Sequence, residues 1–127
     1  MKNTKEDYLN YRIDRAKETL GDALLLYEND RWNACINRLY YACFYIVSAL
    51  LLSKDIEAYT HNGIKTRFFL EFIKTKIVDQ EFGELYSKLM SYRQESDYAD
   101  FIDFDKQQTH KLLLETKTFI HLIEKSV

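Results

Sequence analysis

The stretch Arg31-Trp32-Asn33-Ala34-Cys35-Ile36-Asn37-Arg38-Leu39-Tyr40-Tyr41-Ala42-Cys43-Phe44, with its continuation to Ser53, decides the fold. Trp32, Cys35, Ile36, Leu39, Cys43, Ile46, Val47 and Leu50 recur at helical spacing and make one stripe. Tyr40, Tyr41, Phe44, Tyr45 and Leu51 add apolar surface on the neighbouring faces. A helix apolar around most of its circumference is either central in a bundle or shared with a second subunit. The segment is thus expected to be the core helix, and it is a first indication of a dimer.

Upstream, Thr4 with Asp7 three residues on resembles a capping box, with Asp in place of the usual Glu. It should open a helix from about Lys5 to Tyr27 whose stripe is Leu9, Ile13, Ala16, Leu20, Ala23, Leu24 and Tyr27. Asn29-Asp30 is expected to end that helix and cap the core helix. Downstream, Thr60-His61-Asn62-Gly63 opens a shorter helix reaching about Thr75. Asp79 can cap a helix from about Gln80 to Asp97, with Phe82, Leu85, Leu89, Met90 and Tyr92 facing inward. Asp105 with Gln108 makes a second capping box for a last helix to about Lys125, burying Leu112, Leu113, Phe119, Ile120, Leu122 and Ile123.

No segment shows the strict alternation of a half-buried strand. Proline is absent and glycine occurs only at positions 21, 63 and 83, so few breaks are available between helices. The expected fold is all-α: a single domain over residues 1–127, an antiparallel four-helix bundle with an additional short helix between the second and fourth.

The sequence also excludes much chemistry. The longest apolar run, Ile46 to Leu52, falls short of the ~20 residues of a membrane span and is broken by Ser48. The charged N-terminus has no apolar signal core, so a cytoplasmic location without membrane contact is expected. Cys35 and Cys43 lie about 12 Å apart along one helix, too far for a disulfide, and read as small core residues. There is no Glu-x-x-His of the di-iron bundles, no His-x-x-x-His pair, no glycine-rich phosphate loop and no nucleophile elbow. No metal and no cofactor are expected, and His110 and His121 read as helix-surface residues.

What remains is Tyr92-Arg93-Gln94-Glu95-Ser96-Asp97-Tyr98-Ala99-Asp100-Phe101. Arg93 can be an arginine at a helix C-terminus, favoured by the dipole and by Asp97 one turn on. Alternatively its planar fork of donors is held to grip a phosphate. Asn37, Arg38 and Tyr41 are helical neighbours that could line a cleft opposite Arg93; equally, Arg38 could pair with an acid and Tyr41 simply pack. His61 reads as a local cap or hinge of the short helix, or as a ligand contact. Lys65, Arg67, Lys74 and Lys76 should face water. Five carboxylates and no base fall between Gln94 and Asp105, leaving the rest of the chain at +3 against a total of −2. That acidic turn suits a basic protein partner or solvated caps better than RNA phosphates, and no DNA binding is expected.

Four stretches in this order, Asn37-Arg38-Leu39-Tyr40-Tyr41-Ala42, Thr60-His61-Asn62-Gly63, Phe69 to Thr75 and Arg93-Gln94-Glu95-Ser96-Asp97-Tyr98, resemble a HEPN domain (higher eukaryotes and prokaryotes nucleotide-binding). The resemblance covers most of residues 5–125 and is greatest to small single-domain bacterial and archaeal members. It implies a four-helix bundle that forms a homodimer, with two arginine-bearing helix ends around a shared cleft. Many members are metal-independent ribonuclease toxins encoded beside a nucleotidyltransferase, with a motif of arginine, four to six residues, then histidine. Here the residue four places beyond that gap's start is Tyr98, and no histidine follows Arg93 until His110. Tyrosine, with a reference pKa near 10, is a poor base at neutral pH. The Arg-x-x-x-Asp-Tyr form instead looks like a branch acting as a binding module for a nucleotide, RNA or partner nucleotidyltransferase in a two-gene, toxin–antitoxin-like system. Arg93 would contact phosphate, supported by Asp97 and Tyr98 and faced by Arg38 and Tyr41. A composite-site ribonuclease and a ligand-free structural helical partner are the alternatives.

Overall fold

The computed structural model describes residues 3–98 and 103–127, with side chains of 3–94 and 103–127. Its elements are α1 (Lys5–Glu28), α2 (Trp32–Ser53), α3 (His61–Phe68), a single π-helical turn that continues it (Phe69–Ile73), α4 (Gln80–Tyr98) and α5 (Lys106–Ser126). Among the described residues there is no strand. The four long helices and the short α3 are the expected architecture.

Helix limits follow from local hydrogen bonds. The Thr4 hydroxyl accepts from the Asp7 amide and the Asp7 carboxylate accepts from the Thr4 amide, closing the first capping box. Asp105 and Gln108 close the second. Asn29 caps the end of α1, but Asp30 does not cap α2. Arg31 occupies the N-cap position without a side-chain bond. Asp30 is instead turned into the left-handed region at φ 59°, where it reverses the chain, a conformation that Asp and Asn tolerate better than most residues.

α2 is central, packing along α1 and against α5, α4 and α3. Its length and apolarity would suffice for a membrane span, yet two-thirds of that surface is buried among the other helices. The antiparallel run of α1 and α2 is fixed by Lys5 on Asp55 (2.8 Å), Arg12 on the Ser48 carbonyl (3.0 Å) and Arg15 on the Tyr45 hydroxyl (3.3 Å). Lys17 on Glu124 and Tyr27 on His110 run α5 antiparallel to α1. Asn33, in the first turn of α2, accepts from the Phe104 amide (3.1 Å) and ties down the segment leading into α5.

The core contains the expected stripes. Ala16, Ala23, Cys35, Ile36, Leu39, Cys43, Ile46, Val47, Leu50, Leu85, Leu89, Leu112, Leu113, Phe119 and Ile123 are buried. Phe82, Tyr92 and Leu122 are half-buried instead. The sequence reading missed Tyr86, fully buried between Tyr40, Phe68 and Phe119. Both cysteines are free and buried. Burial pushes their thiols up, Cys35 to about 11, so neither supplies a thiolate at neutral pH.

Candidate functional site

The middle of α2, the first residue of α3 and the later turns of α4 meet around two adjacent tyrosines. Successive helical residues point about 100° apart. Tyr40 therefore goes fully into the core while Tyr41 stays half-exposed at its edge. Their rings lie edge to face with centroids 5.2 Å apart.

Arg93 reaches this pair from α4. Its guanidinium carbon lies 5.1 Å from the Tyr40 ring centroid and 5.6 Å from that of Tyr41. Its Nη1 donates to the Tyr41 hydroxyl at 3.1 Å. Ring faces attract the cation and the hydroxyl orients the fork. From the neighbouring turn of α2, Arg38 lies 4.8 Å from the Tyr41 centroid and donates through Nε (3.1 Å) and Nη2 (2.8 Å) to Asn37 Oδ1. Among the described residues no carboxylate pairs with Arg38, which rests on an aromatic face and an amide. Two guanidinium groups thus share the Tyr41 ring.

α3 delivers the third component. The Thr60 hydroxyl accepts from the Gly63 amide at 2.9 Å and caps the helix. A Cβ at position 63 would meet that hydroxyl at 2.8 Å, so the close cap needs glycine there. His61 is therefore not the cap. It is the first helical residue, and its ring is stacked on Phe44 at 4.4 Å between centroids. It also lies 5.8 Å from Tyr40 and 5.9 Å from Tyr41. Its Nδ1 is hydrogen-bonded to the Tyr40 hydroxyl at 2.6 Å. Burial, then the positive charge of Arg93, hold His61 below its ordinary pKa, which keeps the imidazole neutral at physiological pH. Burial pushes the Tyr40 hydroxyl up to about 12, so it keeps its proton.

Of the residues singled out from the sequence, Asn37, Arg38, Tyr41, His61 and Arg93 come together. Tyr40 belongs with them and was missed, because only its contacts distinguish it from Tyr41. The side chains of Asp97 and Tyr98 lie outside the described residues, as do those of Glu95 and Asp100 in the acidic turn. Of the other acids there, Asp103 is exposed and Asp105 caps α5. The basic residues of α3 and of the segment after it do not join the site: Arg67 pairs with Glu71 (3.3 Å), Lys65 lies over Phe69, and Lys74 and Lys76 are exposed. His110 and His121 are exposed on α5. Among the described residues no group of three or more His, Cys, Asp and Glu could hold a metal.

Residues 9–126 match the family model described as HEPN domain. A "UPF0332 protein" of Thermotoga maritima is 38% identical over 125 residues, spanning 98% of this chain and 95% of its own. A protein of Methanocaldococcus jannaschii named "Putative toxin MJ0142" is 34% identical over 89% of this chain and 77% of its own. A second protein of that archaeon bearing the same description is 29% identical over 91% and 85%.

Proposed function

The chain belongs to the HEPN family, and on that premise we propose that it is a dimeric module that binds the phosphate of an RNA or nucleotide at Arg93, within a toxin–antitoxin-like pair whose other member is a nucleotidyltransferase. The observation that carries this reading is the bracing of Arg93 by the Tyr41 hydroxyl and two ring faces, with Arg38 on the same ring. The planar fork of a guanidinium matches the oxygens of a phosphate, and two such groups on one ring can straddle one phosphodiester. Exposed parts of Tyr41 and His61 offer stacking surface for a base, as single-stranded nucleic acid sites commonly do. The toxin names of two relatives support the two-gene context. The apolar circumference of α2 supports the dimer, which would place two such patches in one assembly. The proposed setting is the cytoplasm.

Titration of short fluorescent RNA and of nucleotides into wild type and Arg93→Ala tests the reading. Saturable binding by wild type that weakens in the variant is expected. No binding by either protein leaves only a structural helical partner. Light scattering at micromolar concentration should give the mass of a dimer; a strict monomer removes the shared cleft. A second reading, metal-independent RNA cleavage, is favoured by one specific observation, that His61 and Arg93 rest on the same two tyrosine rings.

A further inference from the structure

Beside the cluster around Tyr40, two arginines lie on tyrosine rings one helical turn apart. Tyr41 and Tyr45 are four residues apart on α2, so their rings share a face, with centroids 6.5 Å apart. Arg38 lies 4.8 Å from the first ring. Arg15 crosses from α1 to the second, its guanidinium carbon 5.1 Å from the centroid and its Nη2 donating to the hydroxyl at 3.3 Å. We propose that this strip is a track for single-stranded RNA, on which bases stack on Tyr41 and Tyr45 while Arg38 and Arg15 take successive phosphates. The proposal rests on the reading that the protein binds RNA, and it names the ligand of that site as a strand of several nucleotides.

The composition of the strip fits such a strand. Phe44 stands edge-on to both tyrosines, at 6.2 and 5.6 Å between centroids, and joins the rings into one ridge. Tyr41 and Tyr45 are half-buried, so part of each ring faces outward. Tyr11, one turn before Arg15 on the same face of α1, is 61% exposed and extends the aromatic surface. Stacking on such rings accepts any base, because every base has a flat face, and guanidinium forks match phosphate oxygens. A duplex has its bases already stacked and cannot use the rings. Arg15 and Arg38 are each oriented by a neighbour, a tyrosine hydroxyl and the Asn37 amide oxygen, so less freedom is lost when a phosphate arrives. Among the described residues, the carboxylate in contact with these arginines is Glu18, 3.8 Å from Arg15, with Asp22 exposed one turn further along α1. An ion pair this loose and exposed contributes little, and a phosphate can replace it.

The test titrates fluorescent mononucleotide, dinucleotide and longer single-stranded RNA into full-length protein, with a duplex of the same sequence as competitor and light scattering in parallel. Wild-type affinity is expected to rise with strand length, and the duplex should compete poorly. Tyr45→Ala should weaken binding of the longest strand by about 5- to 150-fold, the range of one lost base stack. Arg15→Ala should weaken it by about 10- to 150-fold and make the dependence of log affinity on log salt shallower by about 0.7. Both losses should be much smaller for the mononucleotide. Tyr45→Phe keeps the ring and should stay close to wild type. Lys111→Ala, on the side of the bundle formed by α4 and α5, controls for general loss of charge and should leave affinity unchanged. Thermal unfolding of each variant separates these effects from misfolding. A long strand that binds no tighter than a mononucleotide, or folded Arg15→Ala and Tyr45→Ala proteins that bind it as wild type does, overturns the proposal and leaves phosphate binding at Arg93 intact. Loss of a dimer's mass together with RNA affinity in those variants assigns the strip to a second copy of the chain, and also overturns it. Absence of RNA binding by wild type removes both.

Discussion

Replacement of Arg93 by alanine separates a phosphate grip from a helix-end arginine that merely packs. Among the contacts within the described residues, the side chain donates a hydrogen bond to Tyr41 and lies 5.1 and 5.6 Å from two ring centroids. A hydrogen bond contributes about 1 kcal/mol and each partly exposed cation–π contact about 0.5–1 kcal/mol, so Arg93→Ala should destabilise the fold by roughly 2–3 kcal/mol. A domain of ordinary stability, about 5–15 kcal/mol, remains folded, with a melting temperature lower by roughly 6–15 °C. Losing a charged donor to a phosphate costs about 1.5–3 kcal/mol, which weakens RNA binding by about 10- to 150-fold. The dependence of log affinity on log salt should also become shallower by about 0.7 if one phosphate contact of a single strand is lost. Arg93→Lys keeps the charge but not the fork, so it should retain the salt slope and recover only part of the affinity. Fluorescence anisotropy across a salt series, with thermal unfolding of each variant, reads every one of these quantities. A folded Arg93→Ala protein that binds RNA with wild-type affinity and slope refutes the reasoning.

Other perturbations probe the scaffold and its pH response. Phe119 is fully buried against Phe68, Phe82 and Tyr86, and Phe119→Ala should cost about 3–5 kcal/mol in urea unfolding. Asp105→Ala removes a cap and should cost about 1 kcal/mol, whereas Asp30→Gly, at a left-handed position that caps nothing, should be neutral or stabilising by the same measurement. Because His61 is held below its ordinary pKa in the fold, the unfolded chain takes up that proton first as pH falls below about 6.5. Stability should therefore decline between that pH and the folded-state value, and His61→Gln should remove this part of the decline in denaturant titrations at stepped pH.

Short-range chemistry made much of the fold legible from the sequence. The Thr4–Asp7 and Asp105–Gln108 boxes bond across three residues, and apolar stripes repeat with the helical turn, so helix limits and most core positions follow from neighbours in the chain. Asp30 was misread because the same residue type serves both as a cap and in a left-handed turn, and only the backbone angle separates them. The sequence also presented Arg93, Arg38, Tyr41 and His61 as candidates, through residue type and family likeness.

Their mutual arrangement was decided elsewhere. Tyr40 and Tyr41 are adjacent and chemically identical, yet the packing of α4 and α5 on α2 buries one and leaves the other half-exposed. His61 and Arg93 lie on separate helices, and no local periodicity links them. The crossing of α3 and α4 over the tyrosine pair brings them to the same rings and sets the imidazole's protonation by burial and by a neighbouring cation. The sequence determined which helices form and which faces they bury, since those depend on contacts within a few residues. The tertiary structure alone chose which histidine accompanies the arginine, because that depends on distances between helices.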